Sequence, residues 1–355
     1  MNIKDLSIPQ LQVHVQQLGY PLYRATQIAK WLYQKGATSF DQMSDLPLEL
    51  REDLKKRFSI SWPILLKKQV SKDGTVKYLF AQSDRETVES VLIPRQNRFT
   101  ICVSSQVGCK LGCQFCASGV NGFRRHLTCG EIVDQVLSAR ENQPHHRITH
   151  VVFMGMGEPM DNYANVLQAV HLLKAPIGLN IGARKITLST AGVIPGIQKL
   201  AQENIQVELS VSLHAGNSET RNRLMPINRK YSLESLISSC RDYIQRTHRQ
   251  VTFEYTLISG INDRPQDADR LALLLRKMKC QVNLIPLNPI PEFPYQPPSV
   301  EVAKQFRRRL QSFDIDATIR KTMGRDIDGA CGQLRLKTSE TFQKGMTFKR
   351  NLSEQ

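Results

Sequence analysis

Three cysteines lie close enough together in the sequence to bind one metal centre. Cys109, Cys113 and Cys116 have the spacing Cys-x3-Cys-x2-Cys, and Gly112 between them is typical of a loop. Such soft thiolates bind iron–sulfur clusters and zinc. A cubane cluster has four irons, so three protein ligands leave one iron open to another molecule. A structural zinc ion normally needs a fourth ligand, for which His126 is the candidate, and this alternative stays open.

Three further side chains could react, but two of them have ordinary explanations. Cys331 stands between Ala330 and Gly332, so its thiol is sterically open, as a reactive thiol must be. Glu89 alternates with apolar residues, and taken alone it is typical of the solvent-exposed face of a strand. Cys102, taken alone, is typical of a small core residue. The pattern therefore singles out Cys331 and leaves the other two undecided.

From Cys102 onward the apolar pattern alternates between strands and helices. This alternation predicts parallel β/α units and an α/β fold, with about six units that close part of a barrel. In such barrels the chemistry gathers at the carboxyl ends of the strands. The predicted strands cover 150–154, 184–189, 206–213, 251–258, 280–285 and 314–320, and the predicted helices cover 130–142, 163–173, 194–203, 233–247, 267–278 and 300–313.

Polar or flexible residues stand where four of these predicted strands end. Because parallel strands end at the same edge of a sheet, we expect these residues to meet above the cysteine cluster. Ordinary strand-to-helix turns explain any one of them, but not four on the same edge. They are 155–159, 189–192, 210–214 and 286–289.

The two ends of the chain have a different character. Residues 1–60 predict a small helical unit, because apolar residues recur at helical spacing in 8–18, 25–33 and 48–58. Short strands are predicted next, at 77–81, 87–93 and 99–103, with a hairpin turn at Asp73-Gly74. The segment 324–334 has too many small residues to be core, and the tail after Lys337 is polar.

The composition indicates a globular protein with a polyanionic partner. The 355 residues include 48 Lys+Arg against 32 Asp+Glu, and the formal charge of +16 favours RNA or DNA. A basic surface without such a partner is the alternative. No apolar run is long enough to span a bilayer, and the N-terminus lacks the apolar core of a signal peptide. Eight clustered cysteines predict a location in the cytoplasm.

Four motifs together resemble one family, the radical-SAM ribosomal-RNA adenine methyltransferases of the RlmN and Cfr type. They are the cysteine spacing, Phe153–Pro159, Leu224–Asn228 and Asp326–Leu334. Pro159 and the segment 287–291 resemble RlmN more than Cfr. The resemblance implies a partial (β/α)6 radical-SAM barrel at 95–326, a helical accessory domain at 1–60, a β extension at 61–94 and a C-terminal segment at 327–355.

The resemblance also implies two cofactors. Cys109, Cys113 and Cys116 would hold a [4Fe-4S] cluster, and S-adenosylmethionine (SAM) would be used twice in each turnover. The residues that match SAM-binding positions would satisfy the polar groups of SAM and hold its sulfonium at the open iron. They are Gly157, Glu158, Ser189, Ser212, Leu213, His214 and Asn288. No functional position matches Cys129, Cys240 or Cys280, and we interpret these three as packing residues.

The implied reaction is methylation of C2 of adenine, an electron-poor carbon that cannot attack a sulfonium. One SAM methylates Cys331, whose thiolate is a good nucleophile. A second SAM, cleaved reductively at the cluster, gives a radical that takes hydrogen from the S-methyl group, and the new carbon radical adds to the ring. Glu89 is the implied proton acceptor. Cys102 is the implied resolving thiol, which leaves a transient disulfide with Cys331.

The implied partners follow from the same resemblance. They are 23S rRNA at the peptidyl-transferase centre and, for RlmN members, an adenosine in the anticodon loop of some tRNAs. A cytoplasmic electron donor and a thiol reductant are needed as well; no membrane is involved, and we expect a monomer. Alternatives are C8 methylation of the same adenosine, as in Cfr, radical chemistry on a protein or small molecule, and a non-catalytic zinc or iron–sulfur RNA-binding module.

Overall fold

The computed structural model describes residues 1–143, 147–321, 323–324, 326–328 and 332–337 of the chain. Cys331 and the tail after Lys337 lie outside these residues. Among the helices of the described part, none combines the length and the apolar character that crossing a membrane requires.

The first sixty residues contain helices at the positions that the helical spacing predicts. These are α1 (Ile8–Gln17), α2 (Tyr23–Ala29), which runs directly into a π-helix (Lys30–Gln34), and α3 (Leu48–Arg57). A capping box between Ser7 and Gln10 begins α1. A buried ion pair attaches these residues to the rest of the chain, because Nζ of Lys4 lies 2.5 Å from Oδ1 of Asp134.

Ten strands form one sheet in the described part of the chain. An antiparallel section consists of β1 (Ile64–Val70), β2 (Val76–Ala81), β3 (Thr87–Arg95) and β4 (Arg98–Cys102). A separate antiparallel pair, β5 (Gln106–Gly108) and β6 (Phe123–His126), flanks the cysteine segment. From β4 onward the pairing in the large sheet is parallel, through β7 (His150–Phe153), β8 (Ile186–Thr190), β9 (Glu208–Ser212), β10 (Val251–Leu257), β11 (Cys280–Pro286) and β12 (Asp316–Ile319).

Helices connect the parallel strands in sequence, which confirms the predicted α/β fold of parallel β/α units. They are α4 (Cys129–Glu141), α5 (Tyr163–Lys174), α6 (Ile194–Leu200), α7 (Ser218–Leu224), α8 (Leu233–Thr247), α9 (Pro265–Leu275) and α10 (Val300–Gln311). The sequence pattern does not predict β1 or α7. β1 is a largely exposed edge strand without alternation of apolar and polar residues, and α7 has only 7 residues, about two turns.

Close packing fixes the turn that follows β7. Gly157 in this turn has φ +98°, and a Cβ at this position would lie 2.5 Å from Cβ of Gln106. Only glycine fits both the backbone conformation and the space. The turn is therefore held against the start of the cysteine segment, at the edge where the parallel strands end.

Candidate active site

A cavity of about 380 Å³ lies at the carboxyl ends of the parallel strands. Most of the residues predicted for the site line this one cavity, although they come from separate segments of the chain. Leu213 does not line it and is fully buried. Cys331 lies outside the described residues. The lining residues that the sequence singles out are Glu89, Cys102, Cys109, Cys113, Cys116, Gly157, Glu158, Ser189, Ser212, His214 and Asn288.

The three clustered cysteines are free thiols at one end of this cavity. Burial is the main cause that raises the pKa of Cys109 to about 12, and the neighbouring Cys116 raises it further. Burial, with the other two thiols adding to it, also raises the pKa of Cys113 well above its ordinary value. Thiols this hard to ionise become thiolates only against a strongly positive centre, such as a metal cluster.

The candidate fourth ligand of a zinc ion has another partner in the structure. In the described residues, no three His, Cys, Asp or Glu side chains are grouped to hold a metal ion. A zinc ion draws all its ligands onto one atom, whereas a cubane cluster spreads three thiolates over three irons. Nδ1 of His126, the candidate fourth zinc ligand, instead lies 3.1 Å from Nε2 of Gln106.

Glu158 supplies a buried carboxyl group beside the cysteines. Its two oxygens accept hydrogen bonds from the N–H of Ala191 (2.8 Å) and of Met160 (3.0 Å). Burial outweighs these bonds and raises the pKa of Glu158 to about 7. A carboxyl in this state can bind a cationic ligand group, because the ligand's charge restores its ionised form.

The ends of β8, β9 and β11 offer polar groups with no partner in the described part of the chain. The side chains of Ser189, Ser212 and Asn288 line the cavity and make no hydrogen bond there. His214 is buried, and its Nδ1 accepts the N–H of Thr256 at 2.8 Å, so Nε2 carries the ring proton. Burial lowers the pKa of His214 to about 3, and the ring is therefore a neutral donor. These groups suit a polar, uncharged part of a ligand.

Glu89 on β3 is almost fully buried and is held from two sides. Oε2 lies 2.9 Å from Nζ of Lys77 and accepts the N–H of Gly332 at 2.6 Å, while Oε1 accepts the N–H of Arg335 at 2.7 Å. The carboxylate thus caps the helical turn over 333–337. Glu89 therefore does not lie on the solvent-exposed face that the sequence pattern alone favours. It is hydrogen-bonded to Gly332, the residue that follows Cys331 in the chain.

The C-terminal segment also touches the end of the cysteine loop. Gly332 has φ +85°, and a Cβ there would lie 2.6 Å from the backbone N of Ser118. Ser118 belongs to the short 3-10 helix Ala117–Gly119, directly after Cys116. Gly332, which follows position 331 in the sequence, is therefore held by Glu89 and lies in close contact with the end of the cysteine loop.

Cys102 stands at the end of β4 and also lines the cavity. Burial raises its pKa to about 11, and the positive charge of Arg320 partly opposes this. All seven cysteines in the described residues are free, so the structure contains no disulfide among them. Cys129, Cys240 and Cys280 are buried away from the cavity, as expected for packing residues.

The sequence pattern does not single out three charged residues that line the cavity. Lys77 is fully buried on β2, and Glu254 on β10 accepts hydrogen bonds from Asn283 Nδ2 (2.7 Å) and Ser210 Oγ (3.2 Å). Arg320 follows β12. A charged residue inside an otherwise apolar strand, as in Phe253-Glu254-Tyr255, is the signal that could have identified Glu254.

Two family models match the chain. The model described as "Radical SAM superfamily" matches residues 103–272, and the model described as "Ribosomal RNA large subunit methyltransferase N-terminal domain" matches residues 1–60. The first match contains the three clustered cysteines, and the second contains the N-terminal helices.

Individual proteins match over nearly the whole chain. A probable dual-specificity RNA methyltransferase RlmN of Pelotomaculum thermopropionicum is 48% identical over 339 residues, which cover 95% of this chain and 92% of that protein. A relative of the same name from Bacillus pumilus is also 48% identical, over 89% of this chain and 88% of its own length. The crystal structure of a radical SAM methyltransferase from Sphaerobacter thermophilus superposes with a TM-score of 0.90 at 45% identity, covering 94% of this chain and 98% of that one.

Proposed function

Because the chain belongs to the RlmN family of radical-SAM RNA methyltransferases, we propose that it methylates C2 of an adenosine in 23S rRNA, at the peptidyl-transferase centre. The carbon comes from SAM and reaches the RNA through Cys331. An adenosine in the anticodon loop of some tRNAs is the second substrate, in keeping with the dual-specificity name of the relatives. The observation on which the proposal rests is that three free cysteines, a buried glutamate and the strand-end polar groups line one cavity.

Residues of this cavity would hold the two cofactors. Cys109, Cys113 and Cys116 would hold the [4Fe-4S] cluster. Glu158 takes the amino group of SAM, and the groups with unused hydrogen-bonding capacity take its other polar atoms. These are Ser189, Ser212, His214 and Asn288; Gly157 lets the backbone come close, and Leu213 supports the strand end behind them. When bound, the cluster and SAM supply a 5′-deoxyadenosyl radical by one-electron cleavage of the sulfonium.

The chain's own residues perform the remaining steps. Cys331 takes a methyl group from one SAM, and this S-methyl group, after losing a hydrogen atom, adds to C2 of the adenine. The radical adduct on the ring then gives up one electron to a redox partner, and Glu89 takes the proton from C2. Cys102 attacks the sulfur of Cys331, so the bond between that sulfur and the transferred carbon breaks and a Cys102–Cys331 disulfide remains. The released carbon takes up a proton and becomes the new methyl group. Two electrons from a thiol reductant restore both thiols.

The setting of Glu89 supports its role as the proton acceptor. Glu89 forms a buried ion pair with the ammonium group of Lys77, whose Nζ lies 2.9 Å from Oε2, and a carboxylate can accept a proton. Both oxygens are occupied in the structure by N–H groups of Gly332 and Arg335. Glu89 would therefore exchange at least one of these bonds for the ring proton when the RNA base is in place.

The charge of the chain supports RNA as the substrate. A formal charge of +16 attracts a polyanion, and the target base must leave any stack to reach a buried cavity. We propose that the enzyme works in the cytoplasm as a monomer, with a low-potential electron donor and a thiol reductant, and without a membrane.

Anaerobic turnover with a 23S rRNA fragment and a tRNA, followed by digestion to nucleosides, tests the proposal. We expect 2-methyladenosine from both RNAs and 5′-deoxyadenosine when SAM and dithionite are added. Formation of 8-methyladenosine would move the site of methylation to C8. A colourless preparation that contains zinc and cleaves no SAM would favour the alternative hypothesis, a non-catalytic RNA-binding module.

A further inference from the structure

The motif Leu224–Asn228 has no role in the mechanism above, yet it lies against the cysteine loop. The carbonyl oxygen of Leu224 accepts the N–H of Gln114 at 2.9 Å. Leu224 and Met225 are buried in a small apolar cluster against which Cys113 packs. The end of α7 is therefore the surface on which the cluster loop rests.

Arg221 on α7 is fully buried behind this contact and makes four hydrogen bonds. Its guanidinium donates to the carbonyl oxygens of Ala191 (2.7 Å), Leu213 (3.2 Å) and Ser212 (3.3 Å), and to Oδ1 of Asn228 (2.9 Å). The first three acceptors belong to the ends of β8 and β9. Asn228 is the last residue of the motif, and its amide group donates to other acceptors, which aims its oxygen at Arg221.

The guanidinium keeps its full charge. Burial lowers the pKa of Arg221 only to about 10, so the group stays protonated at neutral pH. Among the residues that the structure describes, no carboxylate pairs with Arg221. A buried positive charge without a carboxylate partner in the described part of the chain therefore stands on the helix whose end contacts the cysteine loop.

We propose that Arg221 is a positioning residue that joins the cluster loop to the SAM-binding strand ends, and that its charge eases reduction of the cluster. The inference rests on the proposed function. The positioning part follows from the contacts, since one side chain holds three strand-end carbonyls while α7 carries the cluster loop. Ala191, whose carbonyl it binds, also donates its own N–H to Glu158.

The electrostatic part follows from the direction of charge transfer. One electron enters the cluster from the donor, which makes the cluster more negative, while no bond in the protein changes. A nearby buried cation stabilises the reduced state, because net charge and burial set the potential of such clusters. Removal of this charge should lower the ratio of reduced to oxidised cluster by roughly tenfold at a fixed solution potential.

Three variants distinguish the effect of the charge of Arg221 from the effect of its hydrogen bonds. Arg221→Met removes both, Arg221→Lys keeps the charge and loses the planar fork, and Asn228→Asp keeps the fork but places a carboxylate against it. Arg223→Met is the matched control, because Arg223 is an exposed arginine of the same helix. Each variant is reconstituted without oxygen, and its iron content is measured. The reduction potential of the cluster is found by dithionite titration monitored by electron paramagnetic resonance. The affinity for SAM is measured in the absence of RNA.

We expect a more negative potential in Arg221→Met and Asn228→Asp, and a potential near that of the original protein in Arg221→Lys and in the control. SAM binding should weaken about tenfold in both Arg221 variants and little in the other two. Equal potentials in all iron-loaded variants, or unchanged SAM affinity in Arg221→Lys, would overturn the inference. If the unmodified protein itself binds no cluster, the proposed function fails instead.

Discussion

On one wall of the cavity Glu158 and His214 are fixed by backbone groups of neighbouring strands, whereas on another wall Glu89 is fixed by a segment 243 residues further along the chain. We call the first the strand-end wall, formed by the ends of β7 to β11. The second is the C-terminal wall, formed by Lys77 and Glu89, which line the cavity, with Gly332 and Arg335, which contact Glu89. On the strand-end wall backbone groups of the parallel strands hold the side chains. On the C-terminal wall, Glu89 is held by an ion pair between β2 and β3 and by hydrogen bonds from Gly332 and Arg335.

This difference matches the chemistry assigned to each wall. Cofactor binding needs groups that stay fixed, and strand ends in a ten-stranded sheet supply them. In the proposed mechanism Cys331 meets first SAM, then RNA and then Cys102, so this mechanism needs contacts near Cys331 that can be exchanged. The contacts of Gly332 and Arg335 with Glu89 are of this kind, since they are two hydrogen bonds to one side chain.

The largest effect should come from cysteines that serve the two walls separately. Cys113→Ala removes a cluster ligand, so iron, SAM cleavage and methylation should all be lost. Cys331→Ala should keep iron and SAM binding but lose RNA methylation by about 10³-fold or more, because the covalent carrier is missing. Iron analysis, SAM titration and nucleoside analysis measure the iron content, SAM binding and RNA methylation of each variant. Cys240→Ala, a buried cysteine away from the cavity, is the control and should keep all three. Undiminished RNA methylation by Cys331→Ala would refute the proposed role of Cys331 as the methyl carrier.

Lys77→Met should be the next most damaging change and should act on the C-terminal wall alone. Glu89 would lose its buried ionic partner, and we expect the free energy of unfolding to fall by about 3 kcal/mol. Lys55→Met is the matched control: Lys55 is paired with Asp41 and Glu52 at the surface, where solvent screens the pairs and the loss should be much smaller. Urea unfolding measures the free energy of unfolding of both variants.

A double variant separates stability from catalysis at this wall. Lys77→Met with Glu89→Gln has no buried charge left unpaired, so it should recover much of the stability of the original protein. Methylation should stay low because the proton acceptor is gone, while SAM binding at the strand-end wall should be unchanged. A double variant as unstable as Lys77→Met would show that the ion pair is not the reason for the loss.

On the strand-end wall, Glu158 should make stability depend on pH. Burial raises its pKa to about 7 from an ordinary 4.5. Between these values the folded chain binds more protons than the unfolded one, so this contribution is present at pH 4.5 and is lost as the pH rises through 7. We expect a fall of roughly 3 kcal/mol in the free energy of unfolding of the SAM-free protein. The Glu158→Gln variant should not show this fall with rising pH.

Urea unfolding between pH 4.5 and 7.5 measures this difference. Asp134, whose pKa burial raises to about 6, contributes a slope of the same sign, but it is present in both proteins and cancels in the comparison. Equal slopes for the original protein and Glu158→Gln would contradict the prediction. Saturating SAM should reduce the slope, because its ammonium group favours the ionised carboxylate.

The strand-end wall can be predicted from the sequence far better than the C-terminal wall. The alternation of β/α elements is a local pattern, and that pattern alone predicts that Ser189, Ser212 and Asn288 lie at one edge of the sheet. The Cys-x3-Cys-x2-Cys spacing is local as well. Periodicity therefore determines the fold class and the edge at which the site lies.

The C-terminal wall depends on pairs that no local pattern encodes. Lys77 and Glu89 are diagonal neighbours on the paired strands β2 and β3, where Lys77 lies opposite Val91 and Glu89 opposite Leu79. Gly332 joins them over a long sequence separation. Only the family resemblance points to Glu89 and Cys102, while no sequence signal identifies Lys77. The short helix α7 also escapes prediction, and with it Arg221, because seven residues carry too little periodicity.

The smallest effect should come from Asp73, at the hairpin between β1 and β2. Its carboxylate accepts the N–H of Gly324 (2.8 Å) and of Thr75 (2.9 Å). Burial alone would raise the pKa of Asp73, but these bonds outweigh it and lower the pKa to about 2. The stability that they confer is present above pH 3.8 and is lost as the pH falls through 2. Because Asp73 is exposed, we expect Asp73→Asn to lower the free energy of unfolding by less than about 1 kcal/mol at pH 7.

The same variant should still affect catalysis on one wall only. A looser attachment of Gly324 weakens the positioning of the segment that follows it, so RNA methylation should fall about two- to fivefold, by less than about 1 kcal/mol in transition-state stabilisation. SAM binding in the absence of RNA should not change, because Glu158 and His214 are held by other strands. Asp84→Asn is a matched surface control, since Asp84 pairs with Arg125 instead of the C-terminal segment. If Asp73→Asn weakened SAM binding as much as methylation, the two walls would not be independent.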